Sequence, residues 1–151
     1  MIKFIGDGGH AKVLKDVART MRWKPEGTII AVGNNRDRRN EANAHGSDQF
    51  PRLIHHSAIV PLDTPIGEGT VIMAGAIVQP GCRIGKHVIL NTGCTGDHDC
   101  TIEDFVHIAP GVHLCGGVHV GEGALMGVGS CAVPGAKIEP WSLVKAGTVA
   151  K

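Results

Sequence analysis

The residues of this chain best suited to chemistry sit in one run of six, Gly96-Asp97-His98-Asp99-Cys100-Thr101. An imidazole flanked by carboxylates makes a general base near neutral pH. The acid orients the ring and favours its protonated form once a proton has been captured. His98 is the candidate base and Asp99 its acidic partner. His107 follows nine residues later, with His113 and His119 at further steps of six.

These residues belong to a repeat that must position them. Counting in sixes from Ile54 reaches Val60, Ile66, Ile72, Val78, Ile84, Leu90, Gly96, Ile102, Ile108, Leu114, Val120, Met126, Ala132, Ile138, Val144 and Ala150. Only Gly96, Ala132 and Ala150 depart from large aliphatic or Met. Four residues after each comes a small or β-branched residue, or Cys, without exception from Ala58 to Thr148. Three residues after each the commonest residue is Gly, as at Gly69, Gly75, Gly111, Gly117 and Gly147. Neither a helix of 3.6 residues per turn nor a simple alternating strand keeps a period of six on one face. A short strand plus a turn does, with the aliphatic and the small residue inward and Gly supplying positive φ.

Three hexads close one triangular coil, and stacked coils pair their strands in parallel. Residues 51–151 are therefore expected to form a mainly β domain, a parallel β-helix of slightly more than five coils, about 25 Å tall at roughly 4.8 Å per layer. No insertion interrupts the repeat, so no long loop should project from the prism. Gly96 stands where an aliphatic belongs, and local rules fail most often at functional sites. Neither His98 nor Asp99 occupies an inward position, so both should lie at a corner, facing solvent or a neighbouring subunit. His107, His113 and His119 share one outward position in successive hexads and should point along three different faces. Two chains would have to meet before they could share a metal, and none is assigned. His87, His113 and His119 read as surface residues, and His45, His55 and His56 as surface or hinge residues.

Composition narrows the classes further. The chain has 151 residues, a net charge of +1 and few aromatics (Phe 3, Trp 2, Tyr 0). No basic stripe with interleaved aromatics is present, which argues against nucleic acid. No apolar run approaches membrane length, and MIKFIGDGGHAKVL lacks a signal-peptide layout, so a cytoplasmic protein is expected. Cys82, Cys94 and Cys100 fall on the small inward position, where a thiol behaves as a small hydrophobe. Cys82 and Cys100 should stack in adjacent coils, and a cytosolic setting argues against a disulfide.

Residues 1–50 form a second unit. The run Ile2 to Ile5 leads into Gly6-Asp7-Gly8-Gly9-His10 and a helical pattern with Val13, Leu14, Val17 and Ala18. A strand, a Gly-rich turn and a helix N-terminus build an anion-binding corner. Ile29 to Val32 then lead into Gly33-Asn34-Asn35 and the basic residues Arg36, Arg38 and Arg39. Two strands are too few for a complete nucleotide-binding domain. The unit reads as a truncated Rossmann-like α/β subdomain on the first coil, or as a cap over the open end of the solenoid. Gly8, Gly9, His10 and Asn34 are its candidate substrate-binding residues.

Several motifs together resemble one family. Gly6-Asp7-Gly8-Gly9-His10-Ala11-Lys12-Val13 and Ala31-Val32-Gly33-Asn34-Asn35-x-x-Arg38 are similar to the opening segments of the sugar O-acyltransferases of the sialic acid acetyltransferase (NeuD) type. That group includes the acetyltransferases of UDP-4-amino sugars. Asn91-Thr92 and the run from His98 to Gly111 resemble its core. The resemblance implies a left-handed β-helix, although general crossovers are right-handed. It also implies transfer of an acetyl group from acetyl-CoA to an amino or hydroxyl group of a sugar or nucleotide-linked sugar. A homotrimer with three active sites between adjacent prisms follows from the same likeness.

Carried over residue by residue, His98 and Asp99 are catalytic and His107 lies near the thioester or the acceptor. The Gly116 amide stabilises the oxyanion. Val128 and Ala146 line the path of the coenzyme. The chain departs from the family where Arg22-Trp23-Lys24-Pro25-Glu26 runs almost directly into Thr28-Ile29, so the acidic strand that grips the sugar nucleotide is missing. Relatives also continue beyond a point equivalent to Lys151. Two other readings compete: a zinc enzyme like the γ-class carbonic anhydrases, which use this fold, and a non-catalytic solenoid scaffold.

Overall fold

The computed structural model describes residues 1–151. The chain opens with β1 (Ile2–Ile5), α1 (Gly9–Thr20), β2 (Gly27–Ile30) and α2 (Asn35–Ala44). β1 and β2 pair in parallel, Ile2 opposite Gly27 and Ile5 opposite Ile30, with α1 as the crossover. α1 buries Ala11, Leu14 and Val17, a spacing of three that keeps one stripe inward. α2 starts at Asn34, whose Oδ1 accepts from the Arg36 and Asp37 amides at 3.0 and 3.1 Å. Those amides would otherwise lack partners in the first turn.

From Leu53 onward the chain winds as a parallel β-solenoid of two-residue strands, the fold expected from the hexads and consistent with the left-handed form. A first face stacks six strands from Leu53–Ile54 to Leu143–Val144, and a second stacks five from Ile77–Val78 to Val149–Ala150. The third face stacks four, from Arg83–Ile84 to Lys137–Ile138. Register advances by eighteen residues per coil, for example Ile89 with His107 and His107 with Leu125. Inside, the aliphatic and small positions make one continuous core from Ile72 to Ile138, including Cys82, Cys94 and Cys100. Fully burying each Ile, Leu or Val contributes about 1.5–3 kcal/mol.

The N-terminal unit packs on the side of the prism rather than over its end. Ala11, Leu14, Val17, Ile29 and Ala31 share a core with Leu53, Val71, Met73 and Ile89. Leu53, Val71 and Ile89 are the outward residues of three successive strands on the first face. α2 runs up the adjoining corner, between the third and first faces. Buried Arg38 donates to the carbonyls of His87 at 2.9 Å and Phe105 at 2.7 Å. One coil further, Asn35 donates to the carbonyls of Gly123 at 2.9 Å and Ala124 at 3.1 Å. Arg36 and Arg39 then lie over the ring of Trp141. The segment that reads from sequence as a polar helix start is thus the rivet between the two units.

The same corner corrects another expectation. His87 is buried, not a surface residue, with its ring between Phe50 at 4.7 Å and Phe105 at 5.3 Å. Its hexad position points outward, but α2 and Phe50 cover it. His87, Phe105 and Trp141 all take the left-handed turn conformation usually held by Gly, with φ of 50°, 59° and 56°. Such strain persists only where surroundings enforce it, and here the docked helix does so.

Candidate active site

The fourth non-glycine residue in left-handed conformation is Asp99, φ 60°, and it lies on the corner between the second and third faces. Asp tolerates this conformation better than most residues. The turn aims its carboxylate back at its neighbour, so that Asp99 Oδ2 is 2.8 Å from His98 Nδ1. Asp97 Oδ1 accepts from the His98 amide at 2.8 Å. The bond to Asp99 raises the His98 pKa above its ordinary value, and the charge of Asp97 adds to the effect. With Nδ1 engaged, Nε2 is the nitrogen left to exchange protons. The side chain is 66% exposed, so the corner is open to a ligand or to another subunit.

Gly116 occupies the equivalent turn one coil on, where a Cβ would lie 2.5 Å from His98 Nε2 and 2.6 Å from Cε1. Only Gly lets the ring settle there. The Gly116 amide donates to no group of the chain. Beside the dyad on the second face is a depression of about 350 Å³, lined by Ile77, Gln79, Thr95, Gly96, Asp97, His113, Leu114 and Cys115. Val128 and Ala146 stack on the other corner of that face, at its border with the first.

His107 is placed elsewhere. It projects from the first face, opposite the His98 corner of the triangular cross-section, so one chain does not bring the two histidines together. His107 continues the outward row of Leu53, Val71 and Ile89 where the covering N-terminal unit ends. There Nε2 lies 3.1 Å from the Asn91 amide nitrogen, and burial pushes the pKa down to about 4. His10, in the first turn of α1, is likewise pushed down to about 4, and its buried Nε2 has no hydrogen-bond partner. Gly8 precedes α1 and offers it no side-chain cap, and the first turn carries no acid.

His10, His107 and the loop after β2 therefore meet at one buried polar corner, at the carboxyl ends of the parallel strands, where α/β units bind ligands. Arg38 adds positive potential at both imidazoles. Asn34 ends the loop after β2, and its side-chain oxygen serves the α2 cap. Sequence reasoning missed Asn35 and Arg38 as the residues that hold α2 to the prism. Their spacing of three on one face of α2 was the available signal.

His113 and His119 stand on the second and third faces, hydrogen-bonded to Thr95 and Glu103 respectively. No group of three His, Cys, Asp or Glu side chains is arranged to hold a metal. No helix is long and apolar enough to cross a membrane. A cavity of about 550 Å³ among Met1, Ile2, Phe4, Lys15, Arg19 and Lys24 lies beside β1 and α1, away from the dyad.

A solenoid of uninterrupted hexads with a His–Asp pair on an open corner points to a class, the hexapeptide-repeat transferases. Residues 63–95 match the family described as bacterial transferase hexapeptide (six repeats). UDP-N-acetylbacillosamine N-acetyltransferase of Bacillus subtilis (strain 168) is 39% identical, with 48% of this chain and 51% of that protein covered. The chain thus spans about half the length of that relative. The acetyltransferase domain of PglB from Neisseria gonorrhoeae FA1090 superposes with a TM-score of 0.92 at 32% identity, covering 99% of this chain and 90% of that one. PerB from Caulobacter crescentus, in complex with CoA and GDP-perosamine, gives a TM-score of 0.94 at 31% identity, covering 99% and 88%. The chain belongs to the hexapeptide-repeat transferase family.

Proposed function

We propose that this protein transfers the acetyl group of acetyl-CoA to the amino group of a nucleotide-linked amino sugar, with His98 as general base. The observation that carries this reading is the His98–Asp99 pair at 2.8 Å on an open corner, seated on Gly116. It is supported by a PglB acetyltransferase domain complex with acetyl coenzyme A, at 32% identity, and by the PerB complex with CoA and GDP-perosamine.

The residues act as follows. The acceptor amine attacks the thioester carbonyl carbon as His98 Nε2 withdraws its proton, and Asp99 stabilises the imidazolium that forms. The Gly116 N–H faces the charge developing on the carbonyl oxygen. Collapse of the tetrahedral intermediate breaks the C–S bond, and the His98 proton passes to the departing thiolate. The amide product and CoA leave, with no covalent enzyme intermediate. The polar corner at His10 and His107 takes the acceptor: an uncapped helix N-terminus and the nearby Arg38 suit a diphosphate. Gly8 and Gly9 allow close approach, and the unpartnered His10 Nε2 suits a sugar hydroxyl. Asn34 ends the loop after β2, while Val128 and Ala146 border the coenzyme path.

Because His98 and His107 lie across the prism from one another, a homotrimer completes each site, one chain giving the His98 corner and the next its His107 face. The test is calorimetric titration of acetyl-CoA into wild type and His98→Ala, with thiol release measured over UDP- and GDP-linked amino sugars. Binding by both with turnover by wild type alone is the expected result. Absence of acetyl-CoA binding by either protein would overturn it.

A further inference from the structure

The dyad is set by contact with the coil on each side of it. Above, the ring of His98 rests on Gly116; below, the carboxylate of Asp99 rests on Gly81, in the same turn one coil earlier. A Cβ added to Gly81 would collide with Asp99 Oδ1 and stand 3.2 Å from Cγ. Asp99 Oδ2 is the atom bonded to His98. One carboxylate oxygen thus occupies the space that a side chain at residue 81 would fill, and the other holds the imidazole. The Asp99 amide also donates to the Pro80 carbonyl at 3.1 Å, which fixes the height of the turn over Gly81.

We propose that Gly81 is a positioning residue for the His98–Asp99 dyad: the missing side chain at residue 81 is the seat that aims the Asp99 carboxylate at His98. The proposal rests on reading His98 as the base. A methyl group there displaces Oδ1, rotates the carboxylate and breaks the bond from Oδ2 to Nδ1. The other charged or titratable groups near His98 are Asp97 on its own hexad and Cys82 on the coil below. From the coil above, Gly116 faces the ring.

Backbone strain must be separated from this contact, because Gly81 has φ 81° and any L side chain there is strained. Gly135 provides the control: it occupies the same corner at φ 71°, and a Cβ added there would meet nothing within 4 Å. Ala at residue 135 therefore incurs similar strain without touching the dyad.

The experiment is an NMR titration of the His98 imidazole in wild type, Gly81→Ala, Gly135→Ala, Asp99→Ala and the Gly81→Ala/Asp99→Ala double variant. His98→Gln identifies the resonance. In Gly81→Ala the His98 midpoint should fall toward the ordinary imidazole value of about 6.5, while Gly135→Ala should match wild type. In the Asp99→Ala background, Gly81→Ala should produce no further shift. An unmoved midpoint in Gly81→Ala, or an equal shift in Gly135→Ala, overturns the proposal. The titration needs no substrate, so it stands apart from the catalytic reading, which fails separately if His98→Ala still transfers acetyl groups. Where that reading holds, Gly81→Ala should lower kcat by about 10²-fold, as expected for a misplaced catalytic group.

Discussion

Arg38 reaches out of α2 and donates to the Phe105 carbonyl at 2.7 Å, joining the N-terminal unit to a turn of the solenoid more than sixty residues away. Its remaining donors go to the carbonyls of His87, Val32 and Gly33 and to Asn35 Oδ1. No carboxylate pairs with it. Arg38→Met would leave several of these buried acceptors unmatched, at about 2–5 kcal/mol in total. Urea unfolding should show a lower midpoint for Arg38→Met. Arg38→Lys should recover little, since an ammonium cannot span both carbonyls. A midpoint equal to wild type in Arg38→Met would refute the rivet.

Gly116→Ala separates catalysis from folding. The atoms nearest the added methyl all belong to the exposed His98 ring, so stability should stay within about 0.5 kcal/mol of wild type. The ring must move, and kcat should fall about 10²-fold. Unchanged turnover in a folded Gly116→Ala protein would remove Gly116 from the site.

The pH profile follows from the raised His98 pKa. The base must be neutral to accept a proton, so kcat/KM should climb through the His98 pKa and level off above it. That limb lies above the ordinary imidazole value of about 6.5. Asp99→Asn removes the main cause of the shift, so its limb should move to lower pH as kcat falls. A limb that stays in place would show that another group is the base.

If each site joins the His98 corner of one chain to the His107 face of the next, variants should complement one another. Chains carrying His98→Ala and chains carrying His107→Ala should each be inactive alone. Coexpressed in equal amounts, they should regain activity at roughly one interface in four under random assembly. No recovery in verified mixed oligomers would place each site within a single chain.

Three imidazoles give folding its own pH dependence. Burial pushes His10, His87 and His107 down to about 4, so between about 4 and 6.5 the unfolded chain binds more protons than the folded one. Their contribution is fully present above the unfolded value, declines as pH falls below it and is lost once pH passes below the folded value. His87→Phe keeps a ring between Phe50 and Phe105, and Phe105 already shows that Phe accepts this turn conformation. Proton uptake on unfolding near pH 5 should drop by about one. Uptake equal to that of wild type would mean that His87 titrates normally in the fold.

The hexad rows make the solenoid legible, because inward and outward positions follow from a period that runs without a slip from Ile54 onward. The corner placement of His98 and Asp99 follows from the same count. The burial of His87 escapes that count because it depends on Phe50 and α2, which meet the ring from distant parts of the chain. Arg38 escapes for a related reason: among Arg36 and Arg39 it looks like one more surface cation, and only docking separates them. The separation of His98 from His107 is implicit in their spacing of nine, one and a half hexads, which carries the chain from a corner to the opposite face.

The unbroken repeat also acts as a geometric reading frame for the surface. Removing or adding eighteen residues between Phe105 and Lys151 shortens or lengthens the prism by one coil, about 4.8 Å, and returns every later side chain to its former face. A change of six rotates all that follows by a third of a turn, carrying what was on one corner to the next. A change of one turns the interior outward. Length can therefore vary by whole coils without disturbing the facing of the dyad, whereas shorter insertions must leave the wall as loops.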